Sequence, residues 1–308
     1  MPLRGIDFES GLYDSDLVLP CRQPRRPMPQ TPLRSRLIGE LSWRRLARSV
    51  VFIYAAFALL VYFRADGMIF LPPPASYSDT EAIFKVPVTD SEQISATYLA
   101  NAEADYVLLY IHGNAEDLGD IHPVLERLYG WGFGVFAYDY RGYGTSDGSP
   151  SEANAYEEVI AAYTYLIEQL GIAPERIIVY GRSVGGGPAT ALAAEYPVAG
   201  LILESSFTSA FRVLVPFPLL PFDKFPNLAT IQEVQAPVLV MHGEADSIIP
   251  VAHGRALYDA APGPKLSLWV AEADHNDFTW VAGDRQREAL LEFQQLIEAH
   301  QSSVLWTR

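Results

Sequence analysis

The sequence predicts an α/β protein with a mostly parallel eight-stranded sheet flanked by helices. The chain has 308 residues, of which 49% are hydrophobic and 19% charged, which suits one large globular domain. Eight apolar, β-rich runs follow one another, and helix-patterned segments separate most of them, as expected for βαβ units. Central runs such as YVLLYI and PVLVMH do not alternate between polar and apolar residues. They are therefore typical of strands covered on both faces.

The predicted elements can be read along the chain. The helix SEANAYEEVIAAYTYLIEQLG has Ser151 as its candidate N-cap and Gly171 as its candidate C-terminal glycine. The eight predicted strands are, in order, AIFKVPV, ISATYLA, YVLLYIHG, GVFAYDY, RIIVYG, GLILESS, APVLVMHG and LSLWVAEA.

Charge is distributed unevenly along the chain. Residues 1–64 contain ten arginines and five acidic residues, whereas residues 65–308 contain 12 basic and 32 acidic residues. The acidic body argues against a nucleic-acid partner. The single cysteine, Cys21, excludes an intramolecular disulfide and argues against a cysteine-rich zinc site.

The N-terminal region divides into a tail and an apolar run. Residues 1–48 are basic and rich in Pro and Arg, which predicts a disordered tail. Residues 49–64 are predicted to be a transmembrane anchor, because the run from Val50 to Phe63 carries no charge. As a helix this run is only about 21 Å long, against ~30 Å for the hydrocarbon core, so a buried or interfacial helix is the alternative. Flanking arginine and aromatic side chains favour the membrane.

The flanks of the apolar run also predict its orientation. Arg44, Arg45 and Arg48 precede the run, whereas Arg64 and then Asp66 follow it. The positive-inside rule therefore predicts a single-pass protein with a cytoplasmic N-terminus and the acidic body on the outer side. No small-x-small site follows the run, which argues against a cleaved signal peptide. Residues 65–80, with the stretch LPPPASYSD, are predicted to be a linker to the domain at 81–308.

A serine between glycines marks a candidate nucleophile. In RIIVYGRSVGGGPA, Ser183 lies between Gly181 and Gly185, after a predicted strand and before a predicted helix. This Gly-x-Ser-x-Gly arrangement is typical of a nucleophile elbow, in which the serine occupies a sharp, strained turn. The glycines are expected where a Cβ would overlap a neighbouring strand or helix. The helix N-terminus behind the serine favours developing negative charge.

The partners of such a serine follow it in the order acid, then histidine. His275, in VAEADHNDF, comes after the last predicted strand and is the predicted general base. Asp246, in HGEADSIIP, follows the preceding strand at its C-terminal end and is the predicted acid. Asp274 and Asp277 lie too close to His275 in the chain to reach its Nδ1 atom. The sequence thus predicts a Ser183–His275–Asp246 triad.

Two backbone amides are expected to form an oxyanion hole. These are the amide of Val184 and that of Asn114, which lies in the loop YIHGNAEDLG. His112 is predicted to brace this loop. The glycine-rich stretch YDYRGYGTSDGSPSE lacks the phosphate-loop pattern and is predicted to be a structural turn at the pocket floor. The chemistry is that of an acyl-enzyme and requires no metal or cofactor.

Seven stretches in order carry a resemblance to known proteins over about residues 82–299. The chain resembles the α/β-hydrolase superfamily, and within it the α/β-hydrolase-domain-containing proteins of the depalmitoylase type and their bacterial serine aminopeptidase-like relatives. This resemblance implies the α/β-hydrolase fold and the same triad. Eukaryotic depalmitoylases reach membranes through an acylated N-terminal cysteine cluster, whereas this chain has one cysteine and an apolar run. The stretches are YIHGNAEDLG, YDYRGYGTSDGSPSE, IIVYGRSVGGGPA, FDKFPNLATI, APVLVMHGEADSIIP, HGRALYDAAP and LWVAEADHND.

The segment at about 205–235 is rich in Phe, Pro and Leu. It either packs onto the body or forms a short lid over an acyl pocket. The sequence therefore predicts a membrane-anchored serine hydrolase that cleaves esters or thioesters of small-molecule or lipid-like acyl substrates. One alternative is a peptidase that releases N-terminal residues, for which Glu204 and Glu244 are the candidate acids. Another is a non-catalytic binding protein on the same fold. Acyl chain length and oligomeric state stay open.

Overall fold

The computed structural model describes residues 42–305, the last two by their backbone alone. Contacts between Cα atoms group the chain into two compact units, Met1–Ala55 and Ala56–Arg308. The second unit contains the whole sheet. Most of the predicted N-terminal tail, including Cys21, lies outside the described residues.

The sheet has the eight strands that the sequence predicts. Their spatial order is β1-β2-β4-β3-β5-β6-β7-β8, in which β2 pairs antiparallel with β1 and β4 and all other neighbours are parallel. This confirms the predicted fold class. The strands are β1 (Phe84–Pro87), β2 (Gln93–Leu99), β3 (Val107–Ile111), β4 (Gly134–Tyr138), β5 (Ile177–Arg182), β6 (Gly200–Glu204), β7 (Val238–Gly243) and β8 (Lys265–Val270).

Helices cover both faces of the sheet, so successive side chains of the central strands are buried on opposite sides. In β3, Leu109 joins the core beneath the helices at 152–168, 186–195 and 252–260. Leu108 joins the core beneath the helices at 118–130, 278–282 and 284–305. The helices are α1 (Trp43–Ile69), α2 (Leu118–Gly130), α3 (Glu152–Glu168), α4 (Gly186–Glu195), α5 (Ala210–Leu214), α6 (Asn227–Thr230), α7 (Ala252–Ala260), α8 (Phe278–Ala282) and α9 (Asp284–Leu305).

The apolar run near the N-terminus lies within a longer helix than the sequence predicts. Helix α1 has 27 residues and so extends beyond both ends of the predicted anchor at 49–64. At 1.5 Å per residue it is about 40 Å long, which exceeds the ~30 Å hydrocarbon core. Its most apolar window of 18 residues has a mean hydropathy of 2.0 and is not buried in the protein. By length and composition α1 is therefore a candidate membrane span.

The predicted linker at 65–80 is packed against the body rather than free. Ala65 and Phe70 are buried. The amide of Ser76 donates to Asp117 Oδ2 over 2.7 Å, and the hydroxyl of Tyr77 donates to Asp139 Oδ2 over 2.5 Å. The sequence does not show these contacts, because their partners lie some 40 to 60 residues further along the chain.

The predicted lid segment combines both of the structures considered for it. Near its ends, Phe207, Phe225 and Val234 are buried against the body. In its middle, Leu214 is 78% exposed and Phe217 is 58% exposed. The ends of the segment thus belong to the core, and only the middle could cover a pocket.

Candidate active site

Ser183 occupies the sharp turn between β5 and α4. Its φ angle is +53°, a left-handed conformation that costs a non-glycine residue of the order of 1–3 kcal/mol. A Cβ on Gly181 would lie 2.5 Å from the carbonyl oxygen of Gly185, and one on Gly185 would overlap that of Ile111 in β3. Both flanking positions therefore require glycine for steric reasons, as the sequence suggests.

The structure brings the three predicted triad residues into one chain of hydrogen bonds. His275 Nε2 lies 3.0 Å from Ser183 Oγ, and His275 Nδ1 lies 2.8 Å from Asp246 Oδ2. The other carboxylate oxygen of Asp246 accepts from the amides of Ile248 at 3.0 Å and Ile249 at 2.7 Å. Ser183, Asp246 and His275 follow β5, β7 and β8, whose C-terminal ends meet at one edge of the sheet.

Asp246, the acid in this chain of hydrogen bonds, is held in its ionised form. Burial alone would raise the pKa of Asp246, but hydrogen bonds from His242, His275 and the amide of Ile249 outweigh burial. The pKa of the carboxyl therefore lies well below its ordinary value. His242 contributes from beneath the site, with Nε2 3.2 Å from Asp246 Oδ2 and 2.8 Å from the carbonyl oxygen of Ile249. A carboxylate fixed in this way can orient His275 and stabilise its protonated form.

The two predicted oxyanion donors both line the pocket that contains Ser183. Val184 lies in the first turn after the serine, where amides have no partner within a helix. Asn114 is held by its side chain, whose Nδ2 donates to the carbonyl oxygen of Ile69 over 2.6 Å. Its Oδ1 accepts from the amide of Leu71 at 2.8 Å and from Tyr143 Oη at 2.7 Å. The loop that bears Asn114 is thus tied to the end of α1.

Arg182, which no pattern in the sequence singles out, joins the loops around the site. Its Nη1 lies 2.6 Å from Glu116 Oε1, and its Nη2 donates to the carbonyl oxygen of His275 over 3.1 Å. Glu116 in turn accepts from the amide of Gly113 over 2.6 Å. Sequence offers little signal for this role, because the residue fills a variable position of Gly-x-Ser-x-Gly and its partners lie 66 and 93 residues away.

His112 braces the Asn114 loop from below and does not line the pocket. Its Nδ1 lies 2.7 Å from the carbonyl oxygen of Gly113, and its Nε2 lies 3.3 Å from Asp139 Oδ1. Burial alone would lower the pKa of His112, but the neighbouring Asp139 carboxylate more than compensates and the pKa is raised.

The glycine-rich stretch after β4 is organised by a buried arginine. Arg141 contacts Glu92 at 2.8 Å, Glu157 at 2.6 Å and Glu158 at 2.8 Å. Burial raises the pKa of Glu158 to about 7 in spite of this arginine. Because three carboxylates surround the cation, this turn is suited to internal structure rather than to phosphate binding.

The pocket around Ser183 has a volume of about 770 Å³ and a largely apolar lining. Glu204 and Glu244, which the peptidase hypothesis requires, do not line it. Glu204 is buried and bonded to the hydroxyl of Tyr180, whereas Glu244 pairs with Arg255. Apolar residues of the lining include Met68, Ile69, Val184, Phe207, Phe211, Val213, Leu214, Ile248 and Ile249.

Comparisons with known proteins agree with this architecture. Residues 102–221 match the family described as serine aminopeptidase, S33. Alpha/beta hydrolase domain-containing protein 17B of Xenopus laevis is 44% identical over 177 residues, and the human protein of that name is 43% identical. An esterase structure from Pyrococcus furiosus is 20% identical and superimposes with a TM-score of 0.62, covering 73% of this chain and 98% of the esterase.

The extent of these matches is limited. The alignment with the Xenopus protein covers 56% of this chain and 62% of the relative, so the chain spans about three fifths of the length of the curated relatives it matches. The match to the aminopeptidase family includes Asn114 and Ser183 but ends before Asp246 and His275.

Proposed function

We propose that the chain is a membrane-anchored serine hydrolase of the α/β-hydrolase superfamily, which cleaves carboxylic ester or thioester bonds of acyl substrates. The observation that carries this proposal is the hydrogen-bond chain from Asp246 through His275 to Ser183, with separations of 2.8 Å and 3.0 Å. The serine at the end of this chain of hydrogen bonds lines an apolar pocket.

In the proposed reaction His275 Nε2 removes the proton from Ser183 Oγ as the oxygen attacks the acyl carbonyl carbon. The carbonyl oxygen becomes an oxyanion, which the amides of Val184 and Asn114 stabilise. Asp246 keeps the Nδ1 proton on His275 and stabilises the imidazolium. The imidazolium then donates its proton to the departing alcohol or thiol. Water, activated by His275, hydrolyses the acyl-enzyme and regenerates the serine.

The composition of the pocket supports an acyl substrate over a peptide. A peptidase that releases N-terminal residues must bind an α-ammonium group through an unpaired acid. Two acids line the pocket: the carboxylate of Glu116 is paired with Arg182, and that of Asp120 accepts from the amide of Asp117 in the capping box of α2. The remaining lining is mainly apolar, as expected for a site that binds hydrocarbon.

The membrane part of the proposal rests on α1. We propose that α1 crosses the bilayer once, with residues 1–48 in the cytoplasm and residues 81–308 outside as the catalytic domain. The support is the apolar character of α1 and the position of Arg44, Arg45 and Arg48 on its N-terminal side. Protease treatment of sealed vesicles should degrade the catalytic domain only when it faces the outside. Protection of that domain in right-side-out vesicles would refute the orientation.

Hydrolysis of matched ester and thioester series by the purified full chain in detergent tests the chemistry. We expect turnover that Ser183→Ala abolishes, because the nucleophile is lost without disturbing the core. Ser267→Ala, at an exposed position on β8, is the matched control and should keep wild-type rates. Wild-type rates in Ser183→Ala would refute the mechanism, and a flat preference for acetyl esters would refute the acyl pocket.

A further inference from the structure

A second apolar groove lies beside the catalytic pocket. It has a volume of about 420 Å³. One wall is formed by Phe57, Val61 and Met68 of α1, and the other by the middle of the lid segment. We call residues 213–222 the apolar segment, because its sequence VLVPFPLLPF contains no charged or polar side chain.

The groove adjoins the catalytic pocket, because Met68, Phe211 and Leu214 line both of them. Building on the function proposed above, we propose that this groove is the subsite for the distal part of a long acyl chain whose carbonyl lies at Ser183. The candidate membrane helix α1 then forms one wall of the substrate-binding site, and the acyl chain of the substrate lies between α1 and the apolar segment.

The wall on α1 is a single helical face. Phe57, Val61 and Met68 are spaced by four and seven residues, which places them on the same side of an α-helix. On the same helix, Asp66 Oδ1 forms an ion pair with Lys224 Nζ at 3.1 Å. Beside the groove, the rings of Tyr62 and Phe222 meet edge to face at 5.4 Å. These contacts fix the helix relative to the apolar segment.

The other wall is fixed at its base. Asp223 accepts from the hydroxyl of Ser209 at 2.7 Å and from the amide of Phe211 at 2.9 Å. The same carboxylate lies 3.7 Å from Arg212 Nε, so the two charged groups that border the groove are paired with each other. What remains for a ligand is hydrocarbon surface without an unpaired charge.

An acyl chain is the occupant that this surface fits. Leu214 and Phe217 are exposed to solvent, and a hydrocarbon chain would cover them without leaving a polar group unpaired. Each methylene transferred from water to such a surface strengthens binding by up to about fourfold. The pocket and groove together therefore favour long chains over short ones.

A direct test of occupancy uses a cysteine in the groove and a probe on the serine. The single native cysteine is removed with Cys21→Ser, and Val61→Cys is introduced into the full chain. Ser183 is then labelled with hexadecyl or ethyl fluorophosphonate: its oxygen bonds to phosphorus, fluoride leaves, and His275 takes the proton. The rate at which a maleimide modifies the cysteine at position 61 is measured for both labelled proteins.

We expect the hexadecyl label to slow modification at position 61 at least tenfold relative to the ethyl label. The matched control is Leu59→Cys, about 200° around the helix from position 61, where both labels should give the same rate. Equal rates of maleimide modification at position 61 in the two proteins, with Ser183 fully labelled, would refute the proposal that the groove binds the acyl chain. Failure of Ser183 to react with either probe would overturn the proposed hydrolase mechanism itself.

A second test measures chain-length selectivity. Val61→Trp fills the groove, and we expect the ratio of kcat/KM for hexadecanoyl to butanoyl thioester to fall at least tenfold. Leu59→Trp adds the same bulk on the opposite helix face and should leave this ratio unchanged. An unchanged ratio in Val61→Trp would overturn the proposal. If that variant does not fold, the cysteine protection experiment decides.

Discussion

Replacing Asp246 with asparagine should leave the site folded and still stop the reaction. The two carboxylate oxygens have different partners: Oδ1 accepts from the amides of Ile248 and Ile249, and Oδ2 faces His275 Nδ1 at 2.8 Å and His242 Nε2 at 3.2 Å. An asparagine can place its NH2 group at only one of these positions. The favoured position decides which nitrogen of His275 carries the proton.

The magnitude follows from the hydrogen bonds. With its NH2 group towards the amides, the asparagine would leave the part-buried N–H of Ile248 and the buried N–H of Ile249 without an acceptor, at about 1–3 kcal/mol for a buried donor. The opposite orientation is therefore favoured, and the NH2 group donates to His275 Nδ1. The ring proton then resides on Nε2, which cannot accept the proton of Ser183. We expect kcat to fall by about 10⁴, which corresponds to about 5.4 kcal/mol of transition-state stabilisation.

The assay is kcat on a butanoyl thioester from pH 6 to pH 9, with thermal unfolding to verify the fold. Asp274→Asn is the matched control, since Asp274 accepts from the amide of His275 but does not contact its ring. We expect its kcat to stay within about tenfold of wild type, since an asparagine oxygen can still accept one such hydrogen bond. An Asp246→Asn protein that is folded and keeps more than about a tenth of wild-type kcat would refute the reasoning about the tautomer.

Three further predictions concern stability. Arg182→Met leaves the buried carboxylate of Glu204, 3.4 Å from Arg182 Nε, and the half-buried carboxylate of Glu116 without their cation, so the free energy of unfolding in urea should fall by about 3–5 kcal/mol; an unchanged midpoint would contradict this. Gly185→Ala drives a Cβ into the carbonyl of Ile111 and should cost at least about 1–3 kcal/mol, whereas Gly130→Ala, with no atom within 4 Å, should cost nothing; equal melting temperatures would count against the steric argument. The pKa of His112 is raised on folding, so the stability it contributes is complete below about pH 6.5 and is lost as pH rises through the raised pKa. The difference in unfolding free energy between wild type and His112→Asn should therefore shrink from pH 6 to pH 9; a constant difference would argue against a protonated His112.

Much of the fold could be predicted from the sequence, because its signals are local. Buried strands leave continuous apolar runs, and the eight runs found in the sequence match the eight strands. Ser183 could be recognised because a steric requirement for glycine on both sides leaves a pattern of five adjacent residues. Asp246 and His275 could be placed because each follows a predicted strand, and parallel strands end at one edge of the sheet.

The remaining features depend on contacts between distant segments. The composition of LPPPASYSD indicates a stiff linker, but only the fold reveals that Ser76 and Tyr77 meet acceptors on other elements. In the same way, the end of the predicted anchor could not be located from hydropathy. Helix α1 continues beyond its apolar run because Ala65 is buried against the body, which hydropathy of the helix alone does not reveal.

If the protein is the membrane-anchored enzyme proposed above, the hydrogen bonds of Asn114 to Ile69 and Leu71 decide what proteolytic release would do to the catalytic site. A protease that cuts before Arg64 would shed a soluble fragment with the support of its oxyanion loop intact. A cut after Leu71 would shed a fragment in which that loop has lost its neighbours. The same bonds set the depth at which the serine works. In the proposed membrane orientation, these ties between the end of α1 and the Asn114 loop would hold Ser183 at one distance from the lipid surface, so acyl bonds at other distances would be out of its reach.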